Sequence, residues 1–282
     1  MEKVKFEMLA EKYDVILFDS FGVLKNYQGI IDGAQDTLKI LKKKKTRYRV
    51  LTNDASSSQE ILSEKFARGG LTIRPHRIIT SGMMARNFLE TKKIDGKVLY
   101  LGTANSSDYI LKANKESVSI CDYHENMIDE IGCVVFLDDE GYDWSIDINK
   151  VLNFLRKRTV PVVVANSDMI YPVSKNDVSI ATGAIAQLVE SVLGRNFIHF
   201  GKPDVQMFMY AYDDLLRDDP SLQKQNILMV GDTLHTDILG GVKFGINTAL
   251  VLSGNTREQN VNVAIEATGI SPDYICDSIL IE

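Results

Sequence analysis

The feature that most constrains the fold is a short apolar run, Val15-Ile16-Leu17-Phe18, which stops at Asp19 and gives way to Ser20-Phe21-Gly22. A run this short and this sharply bounded reads as a buried strand. An acid at the C-terminal end of such a strand stands where open α/β sheets bind ligands. Taken alone, it fits equally well a strand ending in a turn, where Asp is common. The same pattern recurs along the chain. Residues 48–51 stop at Thr52-Asn53-Asp54, residues 160–165 at Asn166-Ser167-Asp168, and residues 226–230 at Gly231-Asp232. Between these runs lie helical stretches. Residues 34–41 place Ala34, Leu38 and Leu41 on one face, and Gln59–Arg68 is closed by Gly69-Gly70. Strands that alternate with helices predict a parallel sheet built from βαβ units.

A middle block repeats this alternation with strands at 98–101, 133–137 and 160–165 and helices at 148–156 and 182–193. It reads as an inserted α/β domain over residues 80–196, within a core formed by residues 1–79 and 197–282. The expected fold class is therefore α/β: a Rossmann-like doubly wound parallel sheet with an α/β insert. The formal charge of −6 provides no basic excess for phosphate-backbone contacts, so nucleic acid is not expected as a partner. The one basic run, Lys42-Lys43-Lys44-Lys45, follows a helical stretch and is explained as a solvated C-terminus complementing the helix dipole. No apolar stretch reaches membrane-spanning length, and the first residues lack a signal peptide's apolar segment. Cys121, Cys133 and Cys276 are far apart and form no CxxC pair. A cytoplasmic, reducing location without a membrane partner is the expectation.

Four polar sites fall at or beside predicted strand ends: Asp19, Thr52-Asn53, Lys202, and Asp232 with Asp237. In a parallel doubly wound sheet these ends share one edge. The residue types suit phosphoryl transfer. A carboxylate can serve as nucleophile, a hydroxyl and an amide can hold phosphoryl oxygens, and a lysine can offset accumulating negative charge. Further carboxylates suit Mg2+, which prefers oxygen ligands. Each element has a plainer explanation. Thr52-Asn53 can cap a helix, Lys202 can be a loop lysine, Asp232 a turn residue, and Asp237 an acid at a helix start.

In order, Phe18-Asp19-Ser20-Phe21-Gly22-Val23-Leu24, Leu51-Thr52-Asn53, Gly201-Lys202-Pro203 and Gly231-Asp232-Thr233-Leu234-His235-Thr236-Asp237 resemble the four motifs of the haloacid dehalogenase (HAD) superfamily. The long insert and the Thr-Asn and Gly-Lys-Pro phrases are similar to subfamily IIA, whose members are phosphatases with a large C2-type cap. The resemblance implies that residues 80–196 form the cap, and that the protein is a Mg2+-dependent phosphatase of a small phosphorylated metabolite. It implies Asp19 as nucleophile and metal ligand, with the Phe21 backbone carbonyl and Asp232 as further ligands and Asp237 in the metal's outer surroundings. It further implies Thr52, Asn53 and Lys202 as phosphate-binding groups, Lys202 also orienting Asp19, and Asn166, Asp168 and Thr182 as cap residues facing the substrate. Caps of this type often contribute to homodimer contacts.

The sequence departs from the family at Phe21. Members usually carry a second Asp there, which protonates the leaving oxygen and then activates water. General acid–base help of this kind is worth about 10²–10⁴-fold. Asp54, His235 or Asp168 are candidate substitutes. Two other readings stay open: a degenerate site that binds a phosphorylated ligand without turnover, and a metal-independent haloacid dehalogenase, which also has an aromatic residue at that position.

Overall fold

The computed structural model describes residues 3–281. The chain forms two compact units. The first comprises the chain up to Thr52, then Gln59–Ile79 and the chain from Lys202 onward; the second comprises Asn53–Ser58 and Thr80–Gly201.

The first unit carries a six-stranded sheet in the order Tyr274–Cys276, Asn247–Val251, Ile227–Gly231, Val15–Phe18, Arg47–Thr52, Ile78–Thr80. Val15–Phe18 pairs in parallel with both Ile227–Gly231 and Arg47–Thr52. All four of its residues are buried, as a parallel strand covered on both faces requires. Phe6, Phe18 and Tyr48 join the aliphatic side chains of neighbouring strands and helices in one core cluster. Phe18 makes ring contacts with both aromatic partners. The chain builds outward from Val15–Phe18 in one direction, through Arg47–Thr52 and Ile78–Thr80. It later returns to build in the other direction from Ile227–Gly231. Strand order therefore reverses between Val15–Phe18 and Ile227–Gly231, and ligands bind at such a reversal beyond the strands' C-terminal ends.

The second unit has its own parallel sheet, ordered Ile198–His199, Val162–Val164, Ile131–Phe136, Lys97–Leu101, Ser117–Ser119. Helices Trp144–Lys157 and Thr182–Leu193 supply Val151, Phe154, Ile185 and Val189 to its core. The first of these starts four residues before the expected 148, because Asp143 caps it, accepting the Ile146 N–H at 2.9 Å. A separate hairpin pairs Ile170–Pro172 with Val178–Ile180.

The compact units divide at 79/80 and 201/202, against expected boundaries of 79/80 and 196/197. The C-terminal one lies at 201/202, because Ile198–His199 pairs with Val163–Val164 and so belongs to the second sheet. Residues 53–58 also join the second unit. Ser81 Oγ donates to the Asn53 carbonyl at 2.7 Å and Tyr109 OH to the Ser57 carbonyl at 2.6 Å. Among the described residues no helix is long and apolar enough to cross a membrane.

Candidate active site

The sheet register assembles the first group of side chains. Phe18 is level with Val230 and with Val50. Asp19 is therefore level with Gly231, next to Asp232 on one side, and with Leu51, next to Thr52 on the other. The Asp19 N–H donates to the Val230 carbonyl at 2.8 Å, which fixes the strand end where the acid projects. Asp19, Thr52, Lys202, Asp232 and Asp237 are all buried.

Lys202 is 2 % exposed and lies between two acids. Its Nζ donates to Asp19 Oδ1 and, at 2.7 Å, to Asp237 Oδ1. Burial alone would lower the lysine's pKa, but the Asp19 and Asp237 charges and hydrogen bonds carry it above its ordinary value. Lys202 therefore stays cationic. Asp232 is pushed well above the usual carboxylate range, first by burial and then by the charges of Asp19 and Asp237. Asp237 is raised by burial and by Asp19, with Lys202 and the Thr233 N–H opposing the rise.

Carboxylate oxygens of Asp19, Asp232 and Asp237 lie within 4.8 Å of one another. Three buried acids face one lysine, so the fully ionised centre carries more negative charge than that lysine balances. An all-oxygen donor set with surplus negative charge fits a hard divalent cation such as Mg2+. Both oxygens of Asp237 are engaged: its Oδ1 accepts from Lys202 and its Oδ2 from the Thr233 N–H at 3.1 Å.

Local structure explains why these acids fit together. Gly22 has φ +79°, and a Cβ there would lie 2.0 Å from Asp232 Oδ2, so only glycine lets the turn after Asp19 approach Asp232. Asp237 sits in a π-helical turn, Leu234–Ile238, a distortion frequent at functional sites. The regular helix over Leu239–Phe244 follows this turn.

A second set of contacts holds Asp232, with Thr233 inside the fourth motif and Asn255 outside all four. The Asn255 N–H donates to its Oδ2 at 2.7 Å and Thr233 Oγ1 to its Oδ1 at 2.9 Å, while Asn255 Nδ2 donates to Thr233 Oγ1 at 3.0 Å. Ser253 Oγ donates to the Gly22 carbonyl at 2.7 Å, and a Cβ on Gly254 would lie 1.9 Å from Asp232 Oδ2. This loop follows the strand Asn247–Val251, at the edge where the other polar groups lie.

The remaining candidates group in the second unit. Asn53 Nδ2 donates to Asp168 Oδ1 at 2.8 Å, Asn166 Oδ1 accepts the Asp168 N–H at 2.9 Å, and the Gly183 N–H donates to the Asp168 carbonyl at 3.0 Å. Thr182, the neighbour of Gly183, is fully buried, and its Oγ1 has no partner among the described residues. Asn53, Asn166, Asp168 and Thr182 therefore converge. Of the candidate substitutes for an acid at position 21, Asp54 Oδ1 accepts from the Ser56 N–H at 2.8 Å and its Oγ at 2.7 Å, and His235 is exposed. Phe21 itself is half-buried, with a backbone bridge to Lys25.

Fold and site together define a doubly wound α/β protein with a buried acidic centre at the reversal of strand order. The chain belongs to the haloacid dehalogenase-like hydrolase superfamily: that family's model matches residues 16–116, and a HAD-hydrolase-like model matches residues 199–280. Its relatives belong to subfamily IIA. A crystal structure from Cytophaga hutchinsonii, described as a possible sugar phosphatase of the HAD superfamily, is 48% identical with a TM-score of 0.95. The match covers 100% of this chain and 99% of that one. Human (Homo sapiens) chronophin is 26% identical over 272 residues, 94% of this chain and 90% of its own length. Dihydroxyacetone phosphatase from Corynebacterium glutamicum is 27% identical over 252 residues, 87% of this chain and 83% of its own.

Proposed function

We propose that this protein is a Mg2+-dependent phosphatase of a small phosphorylated metabolite, working through an aspartyl-phosphate at Asp19. The observation that carries this reading is the buried group of Asp19, Asp232 and Asp237 around Lys202, with acid oxygens within 4.8 Å of one another. The names of the relatives, a possible sugar phosphatase and a dihydroxyacetone phosphatase, support the substrate class.

In this mechanism Asp19 attacks phosphorus: its Oδ–P bond forms as the bond to the leaving oxygen breaks. Lys202, held by Asp237, fixes the Asp19 carboxylate and keeps a positive charge beside the transferring group. Thr52 and Asn53 hold phosphoryl oxygens. Asp19, Asp232 and the Phe21 carbonyl would ligate Mg2+, with Asp237 outside them; bound there, the ion supplies Lewis-acid neutralisation of the phosphoryl charge. Water then hydrolyses the aspartyl-phosphate. Asn166, Asp168 and Thr182 are assigned to substrate recognition.

Phe21 can neither give nor accept a proton, so leaving groups that need no protonation, such as acetate or nitrophenolate, are the favoured substrates. The same residue motivates a second reading, in which the site binds a phosphorylated ligand without turning it over. A metal-free dehalogenase is disfavoured by the acids at 232 and 237, for which it has no use. Hydrolysis of nitrophenyl phosphate and acetyl phosphate, with Mg2+ and with EDTA, separates these readings. The proposal expects metal-dependent turnover that disappears in Asp19→Asn. Binding of a phosphorylated ligand with no turnover in any condition would establish the second reading, and halide release in EDTA the third.

A further inference from the structure

The first unit contains a cleft of about 410 Å3 that none of the motifs touches. Lys39 and Lys42 line it from the helix Ala34–Lys44, Arg74 and Arg77 from the segment leading into Ile78–Thr80, and Tyr48 forms part of its wall. Tyr48 is the second residue of the strand Arg47–Thr52. At ~3.3 Å per residue, the cleft is on the order of 13 Å back along that strand from Thr52, towards the sheet edge opposite Asp19.

The cleft gathers four cations in a protein whose net charge is −6. Lys39 pairs with Asp36 at 2.9 Å, both groups being exposed. Lys42, Arg74 and Arg77 pair with no carboxylate among the described residues. The Arg77 guanidinium lies over the Tyr48 ring, 4.4 Å from its centroid, and its Nε is buried without a hydrogen-bond partner among the described residues. His76, between the two arginines in sequence, is held below its ordinary pKa by burial and then by the charges of Arg49, Arg77 and Arg74. Gln35 Oε1 accepts the Thr72 N–H at 2.9 Å, which ties the helix to the arginine-bearing segment. Of the basic run at 42–45, Lys44 pairs with Glu11 and Lys45 ends the helix, so the plain helix-end explanation accounts for them but not for Lys42 in the cleft.

Unpaired like charges converging on one concavity repel one another, and the fold tolerates this best when a counter-ion binds there. A guanidinium stacked on an aromatic ring is oriented by that ring and keeps its N–H edge for bidentate recognition of phosphate oxygens. The volume falls within the range of about 300–1,000 Å3 typical of small-molecule sites, more than one phosphate fills. We propose that this cleft binds a small polyanion carrying two or more phosphate groups, at a site separate from the acidic centre. This inference does not rest on the phosphatase reading.

The test is calorimetric titration of the full-length protein with inorganic tripolyphosphate in EDTA, where the acidic centre lacks its counter-ion and repels the probe. The expected result is saturable binding at one site, weakening as salt is raised. Arg74→Gln/Arg77→Gln should lose at least about tenfold in affinity, since one charge-assisted hydrogen bond of about 1.5–3 kcal/mol is already worth a factor of ten. Lys93→Gln, an exposed change in the second unit, should bind as the parent does. Arg74 is exposed, so Arg74→Gln alone serves as the folded variant should the double change destabilise the protein, and it too should weaken binding. Absence of saturable binding, or binding unchanged in the arginine variants, overturns the proposal.

Discussion

Replacing Lys202 by methionine tests the electrostatic design of the acidic centre. Methionine keeps much of the volume and removes the charge. Lys202 is 2 % exposed and its Nζ bonds to both Asp19 and Asp237. Without it, three buried acids face one another with no cation. Removing one partner of a buried ion pair costs about 3–5 kcal/mol, because the remaining charge is left uncompensated. At about 2–4 °C per kcal/mol for a domain of this size, the melting temperature in EDTA should fall by about 6–20 °C at pH 8. The pH dependence has a definite sign. Asp232 is raised first by burial and then by the charges of Asp19 and Asp237; Asp237 is raised by burial and by Asp19, against Lys202. A carboxylate whose folded pKa lies above its unfolded value loses folding stability as pH rises through the folded pKa. Loss of Lys202 exaggerates that rise, so the deficit of Lys202→Met should be greatest at alkaline pH and shrink on acidification. Thermal unfolding of both proteins across the pH range is the assay. A drop of less than about 2 °C at pH 8, or a deficit that grows as pH falls, would refute the reasoning.

Two further outcomes follow from the same chemistry. Phe21→Asp should raise kcat/KM for an alkyl phosphate by about 10²–10⁴-fold while changing kcat/KM for acetyl phosphate far less, since only the alkoxide needs a proton in the phosphorylation step; equal effects on the two kcat/KM values would remove the leaving-group argument. In the second unit, Asp138 is pushed up to about 6, by burial first and then by the Asp139 charge. Its folded pKa lies above its unfolded one, so its ionisation should take about 2–3 kcal/mol from stability between pH 4 and pH 7, and Asp138→Asn should remove that share of the slope in urea melts.

The sequence exposed the acidic centre because its chemistry sits at the ends of strong, short apolar runs. Asp19 and Asp232 each stop a fully buried strand, and parallel register turns these two distant points into neighbours. Asn53 behaved differently. Adjacent to Thr52 in the chain, it forms its hydrogen bond with Asp168, a partner 115 positions away that no local pattern reveals. Ile198–His199 was missed as part of the second sheet because two residues carry no periodicity, and the boundary moved with them. The hairpin at 170–180 escaped for a related reason: its Ile170, Val178 and Ile180 are exposed, so burial imposes no readable alternation. The loop at Asn255 lies outside any run and holds Asp232 through a backbone N–H, a group every sequence position but proline offers. The arginine cleft was invisible because Lys42, Tyr48 and Arg77 belong to three different segments.

The central claim is that Asp19 is a nucleophile. Its most direct test is to incubate the protein with acetyl phosphate and Mg2+, quench in acid, and map the modified peptide by mass spectrometry. With no base at Phe21 to speed hydrolysis of the intermediate, the account predicts one phosphoryl group on Asp19, absent in Asp19→Asn and much reduced in Phe21→Asp. Turnover that persists in Asp19→Asn, or a phosphoryl group carried on another residue, would contradict it.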